Sequence, residues 1–588
     1  MSGRAIADRG RPGGRDRRWG GRGRRRSAGW LLGALALATL AAACGSADPD
    51  VESVAGVGGQ YSAPSRYTDA PVPLAGTTTV AGVLGAPGGP YIEDRAGRVV
   101  FLHGVNAVYK SPPYELSVVG GKAWSFTAAD AARIAGLGFN VVRLGILWQG
   151  LEPGTGGPNQ PAVCAKGAPH DPGMYNAAVA RAYLGRVAKV VDLLGRDHVY
   201  TLLDMHQDVY NQVFRGEGAP AWAVCTDQPP GAPITALPGR WSTNYRNPLL
   251  EIAVDHFWNN DVVGDIQGEF DRVWGTVARY FRDNPWVAGY DPYNEPFSTK
   301  AVFDDGQHFA AHLECFYTGR RHPGVLEMHE SIRCPSGIPA EGVIPTIEAA
   351  DTHHLVFAEP DNYAIRHGGG LDLIGPMDYP RLVYNFHIYC SERSPVTGDP
   401  VNLDACVDHE VTTIAKRMTD RKSKATPEQP GGPAWFMSEF GATHSVPLVS
   451  GVTAFAEALD LGWAYWSWKY YDDPTGSSFE ALVNAEGRLE PTVNALSRTY
   501  PQAVAGAPTS VRFDPVTGDF SLDYAPSPRV RAPTVVFVAD RHYPAGYCAR
   551  VSGGRIVSPA GNTHLLVRSD RGARSVRVTV EGGRCPGG

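Results

Sequence analysis

The chain has 588 residues, 43% of them hydrophobic, so it exceeds one ordinary domain and carries ample apolar mass for packed cores. Its formal net charge of -6 argues against a nucleic-acid partner, because phosphate binding wants a basic face. Eight arginines crowd into the segment from Arg11 to Arg26, which leaves the remainder more acidic still, and no obligate protein partner is evident.

The Gly/Arg run from Arg11 to Arg26 has no apolar periodicity and leads into the apolar stretch Trp30 to Ala43, followed by Cys44. A basic region, a short apolar core and small residues before a cleavage point mark residues 1–44 as an export signal. The apolar core is too short for a comfortable membrane span. Cys44, followed by Gly45 and Ser46, resembles the lipid-modified cysteine of bacterial lipoproteins, although Ala41 stands where a large aliphatic residue is usual and Leu40 precedes it. Lipidation would tether the protein to the outer face of a membrane, and simple secretion would leave it extracellular. Residues 45–79, rich in Gly, Pro, Ser and Asp, read as a disordered tether.

Eight cysteines remain, and an even count in an exported chain implies disulfides. Sequence neighbours suggest Cys315 with Cys334, Cys390 with Cys406 and Cys548 with Cys585, leaving Cys164 for Cys225. No Cys/His spacing suggests zinc, so no metal or cofactor is expected.

From about residue 80, β-rich apolar runs recur at Val99–Leu102, Asn140–Leu144, Val199–Asp204, Val287–Asp291, Leu355–Ala358, Leu382–His387, Ala434–Met437 and Gly462–Trp466. Most are separated by enough chain for a helix. Helical spacing is clear from Thr127, a candidate cap, to Ile134 and from Tyr175 to Leu194. Eight such units predict a (β/α)8 TIM barrel over residues 80–506, since near-continuous apolar strands suit a parallel sheet covered on both faces. Short alternating runs at Ser510–Phe513, Phe520–Tyr524, Thr534–Val538 and Ser575–Val580 then predict a C-terminal antiparallel β-sandwich over residues 507–588. That domain is read as a packing partner of the barrel or as a binder of membrane or glycan.

Several barrel runs lead into polar residues: Arg143, then Asp204 and His206, then Asn294 and Glu295, then His387 and Tyr389, then Glu439 and finally Trp466. A carboxylate at the end of a buried strand is costly to desolvate, so Glu295 and Glu439 in similar contexts point to one site where charge does chemistry. The natural use of such a pair is cleavage of a glycosidic bond.

Asn294-Glu295-Pro296 and Ser438-Glu439-Phe440-Gly441 resemble the signatures of glycoside hydrolase family 5, whose catalytic glutamates follow the fourth and seventh strands. Within that family, Leu203 to Asp208, Gly218 to Ala223, Phe257-Trp258-Asn259, Asn294 to Phe297 and Tyr500 to Gly506 are similar to the endoglycoceramidases. The similarity covers roughly residues 90–588. It implies a retaining endo-β-glycosidase acting between the glycan and ceramide of a glycolipid substrate, met at a membrane surface. It also implies Glu439 as nucleophile and Glu295 as acid/base, with like-charge repulsion from Glu439 keeping Glu295 protonated until it is needed. Asn294 would hold the sugar 2-hydroxyl, while Tyr389 orients Glu439 and Arg143 holds its charge. Lys110, Asp204, His206 and His387 are sugar-contact candidates. Trp466 offers a face for a sugar ring, and Trp468 shares its parity along the strand.

The long loops Gly150–Tyr175 and Gln212–Phe257 offer Phe214, Trp222, Trp241, Phe257 and Trp258 either to a lipid channel or to plain packing. Related readings are a glycosidase of galactosyl- or glucosylceramide or of a β-glucan. Readings of another class are a non-catalytic glycan-binding lipoprotein and a metal-dependent hydrolase built on Asp204, His206 and Asp208.

Overall fold

The computed structural model describes residues 52–56, 84–85, 90–153, 175–229, 232–261, 265–297, 306–319, 334, 342–360, 375–390, 393–394 and 398–585. The segment expected to be an export signal, with Cys44, most of the expected tether and Cys164 lie outside them. Among the described residues, no helix is long and apolar enough to cross a membrane.

Eight parallel strands close into a barrel: β1 (His103–Ala107), β2 (Val141–Ile146), β3 (Tyr200–Met205), β4 (Val287–Asp291), β5 (Leu355–Ala358), β6 (Leu382–Ile388), β7 (Ala434–Gly441) and β8 (Gly462–Trp466). They are buried almost throughout, which explains why their sequences read as continuous apolar runs rather than alternating ones. Helix α1 (Ala128–Gly136) starts where Asp130 turns back to accept from the Thr127 N–H, at 2.8 Å. Helix α2 (Ala177–Arg196) is capped by Asn176 and buries Tyr183, Leu184, Val187, Val191 and Leu194, spaced to fall on one face. Helices α3 (Ile266–Phe281), α4 (Gly306–Thr318), α5 (Val343–Ala350), α6 (Leu403–Asp420) and α7 (Val446–Ala458) follow. Among the described residues no helix lies between β5 and β6.

The barrel interior is layered. Its lower part is apolar, with Leu202, Ala288, Leu355, Phe357, Val383, Phe436 and Ala464 in one cluster. One step further along the strands the buried residues turn polar: Asn106, Arg143, Asp291, Asn385 and Ser438. This apolar floor supports a charged layer that water could not otherwise be kept from.

The first barrel strand begins later than the apolar run at Val99–Leu102 suggested. Val99 and Val100 pair antiparallel with Val504 and Ala503, outside the barrel, and the barrel strand begins at His103. The second unit is therefore not confined to residues 507–588. One of its sheets runs Gly554–Ile556, His564–Ser569, Thr534–Phe537, Tyr500–Val504, Val99–Val100, Ile92–Asp94, Leu84–Gly85, drawing strands from both sides of the barrel. The other runs Glu52–Gly56, Tyr547–Ser552, Val576–Gly582, Phe520–Pro526, Gly506–Phe513. Glu52–Gly56, inside the expected tether, thus covers the edge of Tyr547–Ser552, where unpaired backbone groups otherwise wait for a partner.

Three expected disulfides are formed, Cys315–Cys334, Cys390–Cys406 and Cys548–Cys585. Cys225 is also disulfide-bonded. The sandwich is tied to the barrel by Arg498, whose Nε and Nη2 donate to Glu457 of α7 at 2.6 and 2.8 Å inside the protein. Breaking such a buried pair typically costs about 3–5 kcal/mol.

Candidate active site

At the C-terminal end of the barrel the charged layer is organised by Arg143 of β2. Its guanidinium, with no exposed side-chain surface, reaches four carboxylates: Asp204 at 2.9 Å, Asp291 at 2.9 Å, Glu359 at 2.8 Å and Glu439 at 2.7 Å. It also donates to Asn294 Oδ1 at 2.9 Å. A planar fork with five donors suits this multiple role, and its permanent charge is what lets so many acids lie buried together. Burial alone would lower the arginine, but the surrounding carboxylates outweigh it and hold it well above its ordinary value.

Glu439 lies within β7, and both its oxygens are engaged. Oε1 accepts from Arg143, and Oε2 accepts from Tyr389 Oη at 2.7 Å and lies 3.3 Å from His387 Nδ1. Burial pushes this carboxyl up, against the pull of His387 and Arg143. Gly441 just beyond has φ +92, and a Cβ there would meet the Tyr465 ring at 2.4 Å, so the motif residue is glycine for both reasons.

Glu295 follows β4 with φ +45, a left-handed conformation that costs a non-glycine residue of order 1 kcal/mol. Its Oε1 lies 2.9 Å from His387 Nδ1. A carboxylate oxygen of Glu295 and one of Glu439 fall within 4.8 Å of each other. His387 is fully buried, and its Nε2 faces Glu359 Oε1 at 2.9 Å. Burial alone would lower the imidazole, but Glu359, Glu439 and the bond to Glu295 hold it well above the ordinary histidine value.

The open side is a cavity of about 530 Å³. Seven of the ten predicted site residues line it, namely Lys110, His206, Asn294, Glu295, Tyr389, Glu439 and Trp466. Arg143, Asp204 and His387 form the buried layer beneath, touching the liners rather than the space. Lys110 Nζ lies 2.5 Å from Asp208 Oδ2, 3.5 Å from Glu217 Oε1 and 4.6 Å above the Trp466 ring. His206 stacks on Trp466 with ring centroids 5.3 Å apart, and its Nδ1 meets Asp204 Oδ2 at 2.7 Å. Trp466 Nε1 donates to Glu480 at 3.1 Å, which leaves the ring edge fixed while the cavity lies against its side chain.

The trio considered as metal ligands is otherwise employed. Asp204 is committed to Arg143 and His206, and Asp208 is paired with the Lys110 ammonium. Trp468 does not share the cavity wall; it is fully buried and donates to Asp130 Oδ1 at 3.2 Å. Of the loop aromatics, Phe214, Trp222, Phe257 and Trp258 are buried in the main core, and Trp241 lines the cavity. Their edge-to-face contacts with Trp148, Phe270, Phe309 and Phe316 show why: the long loops need their own core.

Four acids at the site went unpredicted: Glu359, Asp291 as a charge partner, Glu217 and Glu480. Glu359 had a legible signal, since Leu355–Ala358 is an apolar run ending in a glutamate followed by Pro360, the pattern of Glu295 and Pro296. Glu217 sits in an irregular loop where no periodicity marks it, whereas Glu480 closes a capping box with Ser477 on the short 3-10 turn Ser478–Glu480, a local pattern that says nothing of the site.

Residues 105–472 match the family model described as cellulase (glycosyl hydrolase family 5), and residues 498–580 match that of the glycoside hydrolase family 5 C-terminal domain. Endoglycoceramidase I of Rhodococcus hoagii (strain 103S) is 29% identical over 517 residues, covering 84% of this chain and 87% of the relative. An endoglycoceramidase of Cyanea nozakii is 28% identical over 495 residues, covering 78% and 84%. The solved structure of endo-glycoceramidase II from Rhodococcus sp. in its five-membered iminocyclitol complex has a TM-score of 0.62 at 26% identity, covering 84% of this chain and 99% of that one.

Proposed function

The chain belongs to glycoside hydrolase family 5 and is a glycosidase, and from that premise we propose that it is a retaining endo-β-glycosidase that cuts between the glycan and the ceramide of glycosphingolipids. The observation that carries this reading is the proximity of Glu295 and Glu439, with carboxylate oxygens within 4.8 Å. Retaining enzymes hold their two carboxyl groups about 5–5.5 Å apart, whereas inverting ones leave about 6.5–9.5 Å for a water.

Glu439 attacks the anomeric carbon while Glu295 gives its proton to the departing oxygen, and a glycosyl ester on Glu439 results. Water then attacks that ester as Glu295 takes the proton back, which restores both groups. Arg143 and Tyr389 aim the Glu439 oxygens through their bonds of 2.7 Å. Asn294 lines the cavity with its Oδ1 held by Arg143 and one Nδ2 hydrogen given to the Gln207 carbonyl, which leaves its second Nδ2 hydrogen for the sugar 2-hydroxyl, where a hydrogen bond strengthens as positive charge develops on the ring. Trp466 carries the apolar face of a sugar, and Lys110 and His206 offer polar contacts beside it.

The endo mode and the ceramide leaving group draw support from the names of the similar proteins and from Trp241 on the cavity wall. The export signal expected in residues 1–44 and the disulfides of the fold support a place outside the cytoplasm, secreted or held at the membrane through Cys44. A β-glucan substrate is the second reading, favoured by the cellulase description of the matching family model.

Incubation with a panel of lactosylceramide-type glycolipids, glucosylceramide, galactosylceramide and β-glucans, with products identified by mass, tests the reading. Free ceramide together with an intact oligosaccharide is expected. Activity confined to β-glucans, or monosaccharide alone as the sugar product, would overturn it.

A further inference from the structure

Glu359 directly follows β5 and has no exposed surface. Its main chain is clamped by Tyr317 of α4, whose hydroxyl donates to the Glu359 carbonyl at 2.8 Å and accepts from its N–H at 3.0 Å. The two carboxylate oxygens then reach different parts of the catalytic layer. Oε1 meets Arg143 Nη2 at 2.8 Å, His387 Nε2 at 2.9 Å and Asn385 Nδ2 at 3.3 Å. Oε2 accepts the main-chain N–H of Glu295 at 2.8 Å. One side chain therefore fixes both the imidazole that touches the Glu295 carboxyl and the backbone that carries it.

We propose that Glu359 is a positioning residue for acid/base catalysis: it holds His387 as an imidazolium and pins the left-handed Glu295 backbone, so that the Glu295 carboxyl faces the leaving oxygen. The inference rests on the reading of Glu295 as acid/base. Both ring nitrogens of His387 face carboxylate oxygens, Nδ1 toward Glu295 and Glu439 and Nε2 toward Glu359. Nδ1 is hydrogen-bonded to Glu295, while Nε2 lies at ion-pair distance from Glu359, and because a neutral imidazole has only one N–H, only the protonated ring presents a hydrogen and a positive charge to both sides. The charged and titratable groups around it are Glu295 from β4, Glu359 from β5, Tyr389 beyond β6 and Glu439 from β7, with Arg143 of β2 behind Glu359.

This arrangement serves both chemical steps. In the first, the Glu295 proton passes to the glycosidic oxygen, the bond to the anomeric carbon breaks with its electron pair going to that oxygen, and Glu439 forms the new C–O bond. The carboxylate left on Glu295 is met by the His387 Nδ1–H. In the second, a water oxygen attacks the anomeric carbon, one water proton goes to Glu295, and the ester electron pair returns to Glu439. His387 keeps its proton throughout and Glu359 exchanges none.

The test compares wild type with Glu359→Gln on phenyl and 2,4-dinitrophenyl β-lactosides, or on the matching β-cellobiosides if those are turned over faster. Dinitrophenolate leaves without a proton, so general-acid assistance matters for the phenyl substrate alone. The variant is expected to lose about 100-fold or more in kcat/KM on the phenyl glycoside and under about 10-fold on the dinitrophenyl glycoside. Its kcat/KM profile on the phenyl substrate is expected to gain an ionisation near the ordinary histidine range, about pH 6–7, with Glu359→Asp recovering part of the rate. An equal loss on both substrates, or an unchanged rate and profile in the folded variant, would overturn the proposal.

If Glu359→Gln does not fold, His387→Gln is measured on the same substrate pair. The same leaving-group dependence is expected, and equal losses overturn the proposal. Glu295→Ala with azide separates this inference from the one beneath it, since acid/base variants are rescued on the dinitrophenyl substrate as the β-glycosyl azide. Absence of rescue sinks the acid/base reading itself. Rescue together with a Glu359→Gln loss blind to the leaving group sinks the Glu359 role alone.

Discussion

At the residue scale, the site is an exercise in burying acids around one fixed cation. Asp204, Asp291, Glu359 and Glu439 share Arg143, and His387 adds a second positive charge. Burial alone raises Glu359, yet the His387 charge and hydrogen bond, with Arg143 and the Glu295 N–H, outweigh it and hold the carboxyl at about 2. Arg143→Met should accordingly leave four acids without their common partner. We expect it to destabilise the fold by about 3–5 kcal/mol, read from denaturant unfolding, and to reduce turnover of any glycoside the wild type cleaves. Stability within about 0.5 kcal/mol of wild type would contradict the central place given to Arg143. Much of this residue set was legible in advance because chemistry-bearing residues stood at the ends of apolar runs. Glu359 escaped despite the same pattern, because its run carries no companion such as Asn294, and the contacts that give it a role come from β2, β4 and β6 at once.

At the element scale, strand periodicity located seven of the eight barrel strands to within a few residues, and α1 and α2 fell where spacing, and for α1 the Thr127 cap, placed them. The exception is instructive. Val99 to Leu102 is as β-rich as any barrel strand, but its backbone pairs antiparallel with Tyr500–Val504, a choice set by long-range partners rather than local propensity. The loops are less legible still, since Phe257 and Trp258 could have faced lipid and instead bury themselves against Phe270, Tyr293 and Phe316. Gly441 offers a test at this scale. Gly441→Ala places a Cβ against Tyr465 on a backbone of positive φ, so a loss of about 1–3 kcal/mol is expected, together with reduced turnover as the Glu439 segment shifts. A melting temperature and rate equal to wild type would show that the segment has slack the structure does not suggest.

At the scale of the whole molecule, barrel and sandwich are interleaved. Strands from residues 84–100 and 500–504 belong to one sandwich sheet, and Arg498, Glu457 and Phe513 meet across the junction. Residues 80–506 expressed alone are therefore expected to be insoluble or protease-sensitive; a cooperatively melting, active fragment would contradict the interleaving. The same junction should sense acid. His103 is stacked between Trp463 and Tyr500 with both ring nitrogens unpartnered, and burial lowers it well below the usual value, while burial lowers His564 to about 3. The unfolded chain takes up these protons as pH falls through about 6.5 and the folded protein does not, so each contributes a loss of roughly 1.4 kcal/mol per pH unit below that point. For His564 the loss ends near pH 3. His103→Phe should flatten the decline of unfolding free energy between about pH 6.5 and 5, and an unaltered slope would contradict this. The two-domain plan was legible from composition and rhythm, but not the strand exchange, which has no local signature. The central claim, a covalent route through Glu439, is tested most directly by incubating the enzyme with a 2-deoxy-2-fluoro-β-glycosyl fluoride of its preferred disaccharide and mapping the adduct by mass. One glycosyl unit on the peptide containing Glu439, and none on Glu439→Gln, is the predicted result; an adduct on another residue, or undiminished hydrolysis by Glu439→Gln, would contradict it.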